Sequence, residues 1–388
     1  MVRGFVDMGS ASAASPVAAG PLVRLQTGAA IRMDSVLAMR AAWRALADRS
    51  ELPTTQFEWA VAAMNQVGSK IQAHVGYVTD GGSMRAILPL LIKRRLGIDH
   101  LHFMSPGITM PIDIVHTDRA SLEQLLRATI RLGRPIVLQN LLEESMAAVL
   151  LKEMASERRA MITIENAEPV TYLPIADYQL QDKFQSAARV SILATSYGLS
   201  GGPNDVIFQC VSPSLEQVMQ LFHESMQLQA APAAEPAARK KRRASRELDT
   251  FEFLRTYAYQ CAHRGEVRFS CLRIGGRLLA VQMFLVRKQT AWLLTSAHLD
   301  RFRGTTLDTL LMAETIRKMQ ADKIQKLVAP SSESVREVGQ CREMSCVDIR
   351  IYPWSSRSLM ARMMGAAGNA SRRLLSRPSP EPPIPDAS

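Results

Sequence analysis

Two stretches of this chain carry the same order of apolar and polar positions. "FEWAVAAMNQVGSKIQAHVGYVTDGGSMRAILPLLIKRR" (Phe57–Arg95) lies over "FEFLRTYAYQCAHRGEVRFSCLRIGGRLLAVQMFLVRKQ" (Phe251–Gln289) without a gap. Phe57/Phe251, Glu58/Glu252, Gln66/Gln260, Gly81/Gly275, Gly82/Gly276, Ala86/Ala280 and Leu91/Leu285 coincide. Each copy reads as a helix, then two strands joined by a Gly-Gly turn, whose glycines permit the positive φ angles of a tight hairpin. Further on, "SLEQLLRATIR" (Ser121–Arg131) resembles "TLDTLLMAETIR" (Thr306–Arg317). Each is preceded by a short apolar strand, "HLHFM" or "AWLLTSA", and followed by another, "PIVLQ" or "KLVAP". The pattern predicts an α/β (α+β) protein made by duplication of one unit: helix, antiparallel strands, helix, strand, helix, strand. Residues 178–196 and 214–228 read as helices joining the halves, with a strand at Val206–Val211.

The division expected is a disordered Ala/Gly/Ser-rich leader over 1–34, a first half over 35–177 and a second over 178–366. The second half includes a basic Ala/Pro-rich loop at 230–246, and a Pro-rich disordered tail fills 367–388. At 388 residues and 47% apolar, the chain can bury a large core. No apolar run approaches the roughly 18 residues of a membrane span, and the leader lacks the apolar block of a secretory signal. Five scattered cysteines without a C-x-x-C argue against a disulfide framework or a zinc site and fit a cytoplasmic protein. No metal site is expected. The net charge of +11 favours an anionic partner: a phosphorylated cofactor, nucleic acid or a membrane surface. Part of it is concentrated in Arg239, Lys240, Lys241, Arg242, Arg243 and Arg246. With no interleaved aromatics, that cluster reads as a solvated segment.

The candidate chemistry lies in the second half. A strand (Ala291–Ala297) leads through His298 into "RFRGTT" (Arg301–Thr306) and an amphipathic helix with Leu307, Leu311, Thr315 and Met319 on one face. A helix start offers free N–H groups and partial positive charge, a glycine allows close approach, and two arginines add charge-assisted hydrogen bonds. That set suits a diphosphate; it equally describes a capped helix start with solvated arginines. The matching turn of the first copy, Val115–Ser121, has no glycine and carries Asp118. An anionic cofactor bound by one half only would therefore bind the second.

This strand–turn–helix resembles the GNAT acyltransferase motif R/Q-x-x-G-x-G/A, with Arg301, Gly304 and Thr306 on its marked positions. "AWRAL", "AILPLLI", "LRIGGRLLAVQMFLV" and "RFRGTTLDTLL" together resemble the CelD-like acetyltransferases, which have tandem GNAT-like halves and are related to Fem-type aminoacyl transferases. The resemblance implies two mixed, mostly antiparallel sheets flanked by helices. It implies acetyl-CoA or another acyl-CoA as co-substrate, attacked directly by an amine or hydroxyl of a small-molecule or polysaccharide-precursor acceptor. The diphosphate would lie on Arg301, Arg303, Gly304, Thr305 and Thr306, and the pantetheine along the strand at Thr295 and Ala297. Two departures stand out: the strand Gln325–Val328 has no carboxylate where members of this branch carry one, and "PSSESVREVGQCREM" replaces their G-x-E-x-Y-K pattern.

Direct transfer needs a base. His298, at the end of the motif strand, is the first candidate, because imidazole ordinarily titrates near neutrality. Glu224, beside His223 on the helix Leu215–Leu228, is the second, as a ligand for the acceptor. Cys271 alternates with Phe269 and Val267 on one strand face and reads as a buried structural thiol. No G-x-S-x-G or H-E-x-x-H occurs. Two alternatives remain: a Fem-type aminoacyl-tRNA-dependent transferase whose basic segment engages tRNA, and a non-catalytic scaffold for envelope or polysaccharide assembly. Peripheral contact with a membrane is compatible with the charge.

Overall fold

The computed structural model describes residues 26–363, leaving out 31, 68–71, 96, 106–107, 158–159, 177, 180–205, 230–236, 299–306, 331–332, 356–357 and 361. The first half runs β1 (Gln26–Ala30), α1 (Met33–Ala38), α2 (Arg40–Ala47), α3 (Phe57–Val67), β2 (Gln72–Asp80), β3 (Ser83–Arg95), β4 (Ile98–Phe103), β5 (Val115–His116), α4 (Arg119–Arg131), β6 (Ile136–Leu142), α5 (Met146–Ser156) and β7 (Ala160–Asn166). After β8 (Val170–Pro174) the second half repeats the order: β9 (Val206–Val211), α6 (Leu215–Gln229), α7 (Ala237–Ala262), β10 (Val267–Ile274), β11 (Arg277–Arg287), β12 (Thr290–His298), α8 (Leu307–Ala321), β13 (Lys326–Val328), α9 (Glu333–Val338), β14 (Arg342–Met344) and β15 (Cys346–Pro353).

The duplication extends to local geometry. Gly81, Gly82, Gly275 and Gly276 all have positive φ, as the two hairpin turns require. The β2–β3 ladder shifts register between Val78 and Thr79, and the β10–β11 ladder between Leu272 and Arg273. These positions are separated by the same offset as Phe57 and Phe251. Trp59 and Phe253, also equivalent by that offset, touch edge-to-face with ring centroids 4.7 Å apart. A residue in contact with its own counterpart lies on the axis relating the two halves. Around it α3 and α7 pack together, and Trp43, Phe57, Tyr257, Phe222 and Phe269 join one core shared by both halves.

Each half completes the other's sheet. The first sheet has the order β1-β2-β3-β4-β6-β15-β7, so β15, from the end of the chain, lies between β6 and β7 and antiparallel to both. The second has the order β14-β8-β13-β12-β11-β10-β9, so β8, from the first half of the sequence, lies between β13 and β14. Two strands thus lie across the sequence division expected at 177/178, in opposite senses. Two expectations change. Residues 26–30, assigned to the leader, pair with β2 as a strand. The basic segment expected as a loop through 246 is helical from Ala237. The expected helix 178–196 falls almost wholly outside the described residues, as does the Pro-rich tail.

A buried polar network crosses the axis beside the apolar core. Arg287, 5% exposed, reaches the Ala47 carbonyl (3.2 Å) and Asp48 (3.4 Å) of the other half. The Gln56 amide lies between the Arg287 guanidinium (2.8 Å) and the Tyr257 hydroxyl (2.7 Å). Glu58, 1% exposed, faces Arg44 (2.6 Å) and Arg264 (3.5 Å). Burial pushes the Glu266 carboxyl up, against the opposing pull of Arg264 and Arg287. Such groups persist in a core only when paired.

Because both halves share this core, Trp59→Ala is expected to cost about 3–5 kcal/mol. Chemical denaturation should show one transition, coincident by far-ultraviolet circular dichroism and tryptophan fluorescence. Two separate transitions would show that the halves fold independently.

Candidate functional site

The two sheets share a fork, where a parallel pair of strands separates. In the second half β12 pairs with β11 along its length, but with β13 only at Thr290↔Lys326, Ala291↔Leu327 and Trp292↔Val328. After Val328 the chain stays with β8, the Ala329 N–H donating to the Thr171 carbonyl at 3.0 Å. Leu293–His298 therefore have a ladder partner on one side only, among the described residues. The β11–β12 register shifts in this stretch: Phe284 faces Leu293 and Met283 faces Thr295, so Leu294 bulges out of register. A bulge frees a peptide group from the ladder and twists the strand.

Side chains along β12 then sort onto two faces. Trp292, Leu294 and Ala297 join the shared core, and Thr295 is half-buried. On the other face the Ser296 hydroxyl donates to Asp308 Oδ1 at 2.9 Å, in the first turn of α8. The Gln282 amide, fully buried on β11, donates to the same oxygen at 2.9 Å. Asp308 is thus held down onto the sheet. Thr309 Oγ1, one residue on, donates to Glu337 of α9 at 2.5 Å. His298 faces Ala280 across the ladder and shares the Ser296 face. Its Nδ1, like Trp292 Nε1, is buried and has no hydrogen-bond partner among the described residues. An unpaired strand edge ending in the orphaned His298 nitrogen suits a ligand with polar groups along its length.

Arg301, Arg303, Gly304, Thr305 and Thr306 lie outside the described residues. In the sequence they lie between the end of β12 and the start of α8, both of which border the fork. Glu224 stands elsewhere. Its carboxylate accepts from Arg273 at 2.5 Å and from the Gln220 amide at 2.9 Å. Arg273 shares the core face of β10 with Cys271, opposite to the face of His298. The structure does not bring His298 and Glu224 together. Cys271 is buried, and burial pushes its thiol up to about 12, too high for a nucleophile at neutral pH.

The first half has the same fork, but filled. β4 and β6 pair at Leu101↔Ile136 and His102↔Val137. Beyond that point the chain itself enters the fork: the Ile112 N–H donates to Asn140 O at 2.9 Å, and Leu142 N–H to Ile112 O at 3.1 Å. Met110, Ile112 and Ile114 are buried there. The helix start is also taken, since Asp118 Oδ1 accepts from the Ser121 N–H at 2.8 Å and caps α4. Asp113, within the plug, accepts from the Ile114 N–H at 2.7 Å, and burial pushes its carboxyl up to about 6. What remains is a polar cleft of about 220 Å³ bordered by Lys93, His102, Ser105, Gln139 and Asn140.

Sequence reasoning missed the plug and the Gln282–Ser296–Asp308 cluster. The second had a signal: Gln282 is the lone polar residue in the apolar strand "LLAVQMFLV". The plug had none, because "ITMPIDI" reads as an ordinary apolar loop.

Residues 205–328 match the family model described as an acetyltransferase (GNAT) domain. No curated protein matches the chain. Among solved structures, FemX superposes with a TM-score of 0.52 at 9% identity, over 81% of this chain and 96% of that one. The C-terminal domain of a putative lysylphosphatidylglycerol synthetase from Agrobacterium fabrum gives 0.48 at 10% identity, over 84% and 95%. A tandem GNAT protein from the clavulanic acid biosynthesis pathway gives 0.46 at 10% identity, over 85% and 98%. At these identities the likeness to FemX is one of fold. The match to the acetyltransferase (GNAT) domain model is thus confined to 205–328, and the whole chain shares its two-sheet fold with FemX.

Asp113 gives a pH signature to the plug. Its folded value of about 6 lies above the ordinary carboxylate value of 3.8, so its contribution is fully present below about pH 4 and is lost as pH rises through 6. Asp113→Asn removes that loss. Denaturant titrations should find the variant more stable than the parent by roughly 1–3 kcal/mol at pH 8, and no more stable at pH 4.

Proposed function

We propose that the second half transfers an acyl group from acyl-CoA, in the simplest case acetyl-CoA, to an amine or hydroxyl of a small-molecule or polysaccharide-precursor acceptor in the cytoplasm. The observation that carries this reading is the open fork. A bulged strand presents one unpaired edge beside the start of a helix, in the half that matches the acetyltransferase family.

The acyl-CoA supplies an activated thioester carbonyl; the remaining tasks fall to this chain. Arg301 and Arg303 offer guanidinium charge, and Gly304, Thr305 and Thr306 offer backbone N–H groups, for the diphosphate. Thr295 and Ala297 offer peptide groups on the free edge of β12 for the amides of the pantetheine arm. A peptide N–H released by the Leu294 bulge is a donor for a carbonyl oxygen as it gains charge. His298, with a ring nitrogen still to be partnered, takes the proton from the acceptor. Asp308 does not oppose the diphosphate, because Ser296 and Gln282 hold it on the sheet. Glu224, already committed to Arg273, steadies the helix against β10 on the acceptor side.

A second reading rests on the fold shared with FemX and on the basic segment Arg239–Arg246: transfer from an aminoacyl-tRNA. A thermal-shift titration separates the two. Saturating acetyl-CoA, at about a hundred times its Kd, should raise Tm by roughly 5 °C. Arg303→Glu should abolish the rise. His298→Gln should keep the rise while lowering kcat by about 10²–10⁴-fold. No shift with any acyl-CoA, together with a salt-sensitive shift on adding tRNA, would replace the first reading by the second.

A further inference from the structure

The end of the described chain forms a surface that the acyltransferase reading does not use. After β15, Ser355 Oγ and Ser358 Oγ both donate to the Gly133 carbonyl, at 2.8 and 3.2 Å, and pin this segment to the end of α4. Ser358 is fully buried by the contact. The pinned segment sets Trp354 beside Ile130, Arg131 and Gly133 at the end of α4, where Leu132 is the C-cap, and Leu359, Met360 and Met363 follow Ser358 directly in the chain. Leu132, Trp354, Leu359, Met360 and Met363 are all exposed: Trp354 by 58%, Met360 by 57% and Met363 by 74%. Trp43, Trp59 and Trp292 are fully buried, so Trp354 alone among the four tryptophans faces solvent. An apolar groove of about 240 Å³ adjoins the patch, bordered by Ile130, Met154, Ile162, Pro353 and Trp354, with Arg127 and Arg131 at its rim.

Arg127 is neutralised by Glu123 and Glu157 and Arg350 by Glu165, but the chain segment itself carries charge of one sign. Between Asp348 and Glu381 the sequence holds six arginines (Arg350, Arg357, Arg362, Arg372, Arg373 and Arg377) and no carboxylate. Arg362 and Arg131 are exposed, and neither has a carboxylate partner among the described residues. An exposed cluster of large apolar side chains in a monomeric surface marks an interaction site. A tryptophan and flexible methionines surrounded by arginines fit the headgroup–acyl boundary of a bilayer, where an aromatic ring has one wet side and one apolar side. Basic residues add attraction to anionic lipid. A protein partner matched to the same surface would also have to be acidic; the apolar groove leading away from the arginines favours a lipid, with its anionic head at the rim.

We propose that this face, Leu132–Trp354–Leu359–Met360–Met363 with Arg131 and Arg362, docks the protein on anionic membrane surfaces. No helix among the described residues is long and apolar enough to cross a membrane, so the association would be peripheral. It does not depend on the acyl-CoA reading.

Co-sedimentation of the full chain with vesicles tests it. Vesicles of equal parts phosphatidylcholine and phosphatidylglycerol should carry the protein down, phosphatidylcholine alone should not, and high salt should release it. Trp354 emission should shift to the blue on binding and be quenched by lipids brominated in the acyl chain. Trp354→Ser with Met360→Ser, and separately Arg131→Glu with Arg362→Glu, should each weaken binding at least tenfold without changing Tm. Lys240→Glu with Arg242→Glu, in the other basic cluster, should leave the Trp354 quenching intact. Sedimentation that is unaffected by the patch variants, or lost with the Lys240/Arg242 pair, overturns the proposal. So does a patch whose variants alter only the oligomeric state.

Discussion

The structure depends on a reciprocal exchange of strands. β8 is inserted between β13 and β14, and β15 between β6 and β7. Without β15 the first sheet would be cut in two, and without β8 the second would lose the ladder that links β13 to β14. An unpaired interior strand position leaves a row of buried peptide groups unsatisfied, which a fold cannot tolerate. Each half is thus obliged to fold with the other. The Trp59–Phe253 contact and the Arg287–Gln56–Tyr257 network follow from that arrangement, for the crossing strands draw α3 and α7 onto a common axis.

Duplication by itself would yield two equal forks, yet among the described residues only one is left unfilled. The first is closed twice over, by the Ile112 bridge to Asn140 and Leu142 and by the Asp118 cap on α4. These closures use backbone pairing and a carboxylate where a ligand would offer amides and a phosphate. The first half supplies β8 to the second sheet and part of the shared core. The open fork carries the opposite features: an unpaired strand edge, a bulge at Leu294 and the orphaned His298 nitrogen. Asymmetry of function arises here from a few residues in one connection, the loop between β4 and β5, while the framework remains symmetric.

Much of this was legible in the sequence because it is carried by local rules. Gly-Gly pairs require hairpin turns, and two-residue alternation marks β10 and β11 and places Cys271 inward. The strand Val206–Val211 and the helix beginning near Leu307 follow from apolar periodicity alone. Non-local pairing was not legible. β8 and β15 are ordinary five- and eight-residue strands, and nothing in "VTYLP" or "CVDIRIYP" states which sheet will take them. The same applies to the plug, whose Ile112 acquires its meaning only from Asn140 and Leu142. The helical form of 237–246 was hidden for another reason: like charges in a row argue for an extended solvated segment, but continuity with the packed helix at Phe251–Cys261 extends helix backward through them.

The position of Asp308 deserves a physical account, since a carboxylate in the first turn of a helix is usually favoured by the helix charge and would occupy the site of an anion. In α4 that outcome is realised by Asp118, which sits before the helix and takes the Ser121 N–H. In α8 the acid comes one turn later in the pattern, inside the helix, and its oxygen is directed to Ser296 and to the buried Gln282 amide. Its hydrogen bonds run to the sheet rather than to the end of the helix. The Gln282 amide donates to Asp308 alone among the described residues, at its carboxylate (2.9 Å) and its carbonyl (3.5 Å), and a buried amide left without an acceptor costs about 1–3 kcal/mol. The pairing therefore ties the start of α8 to β11 and β12 at the fork's edge. Asp308 is thereby committed to the sheet rather than to capping its own helix, and in the sequence it is Arg303, not a carboxylate, that aligns with Asp118 of the first half.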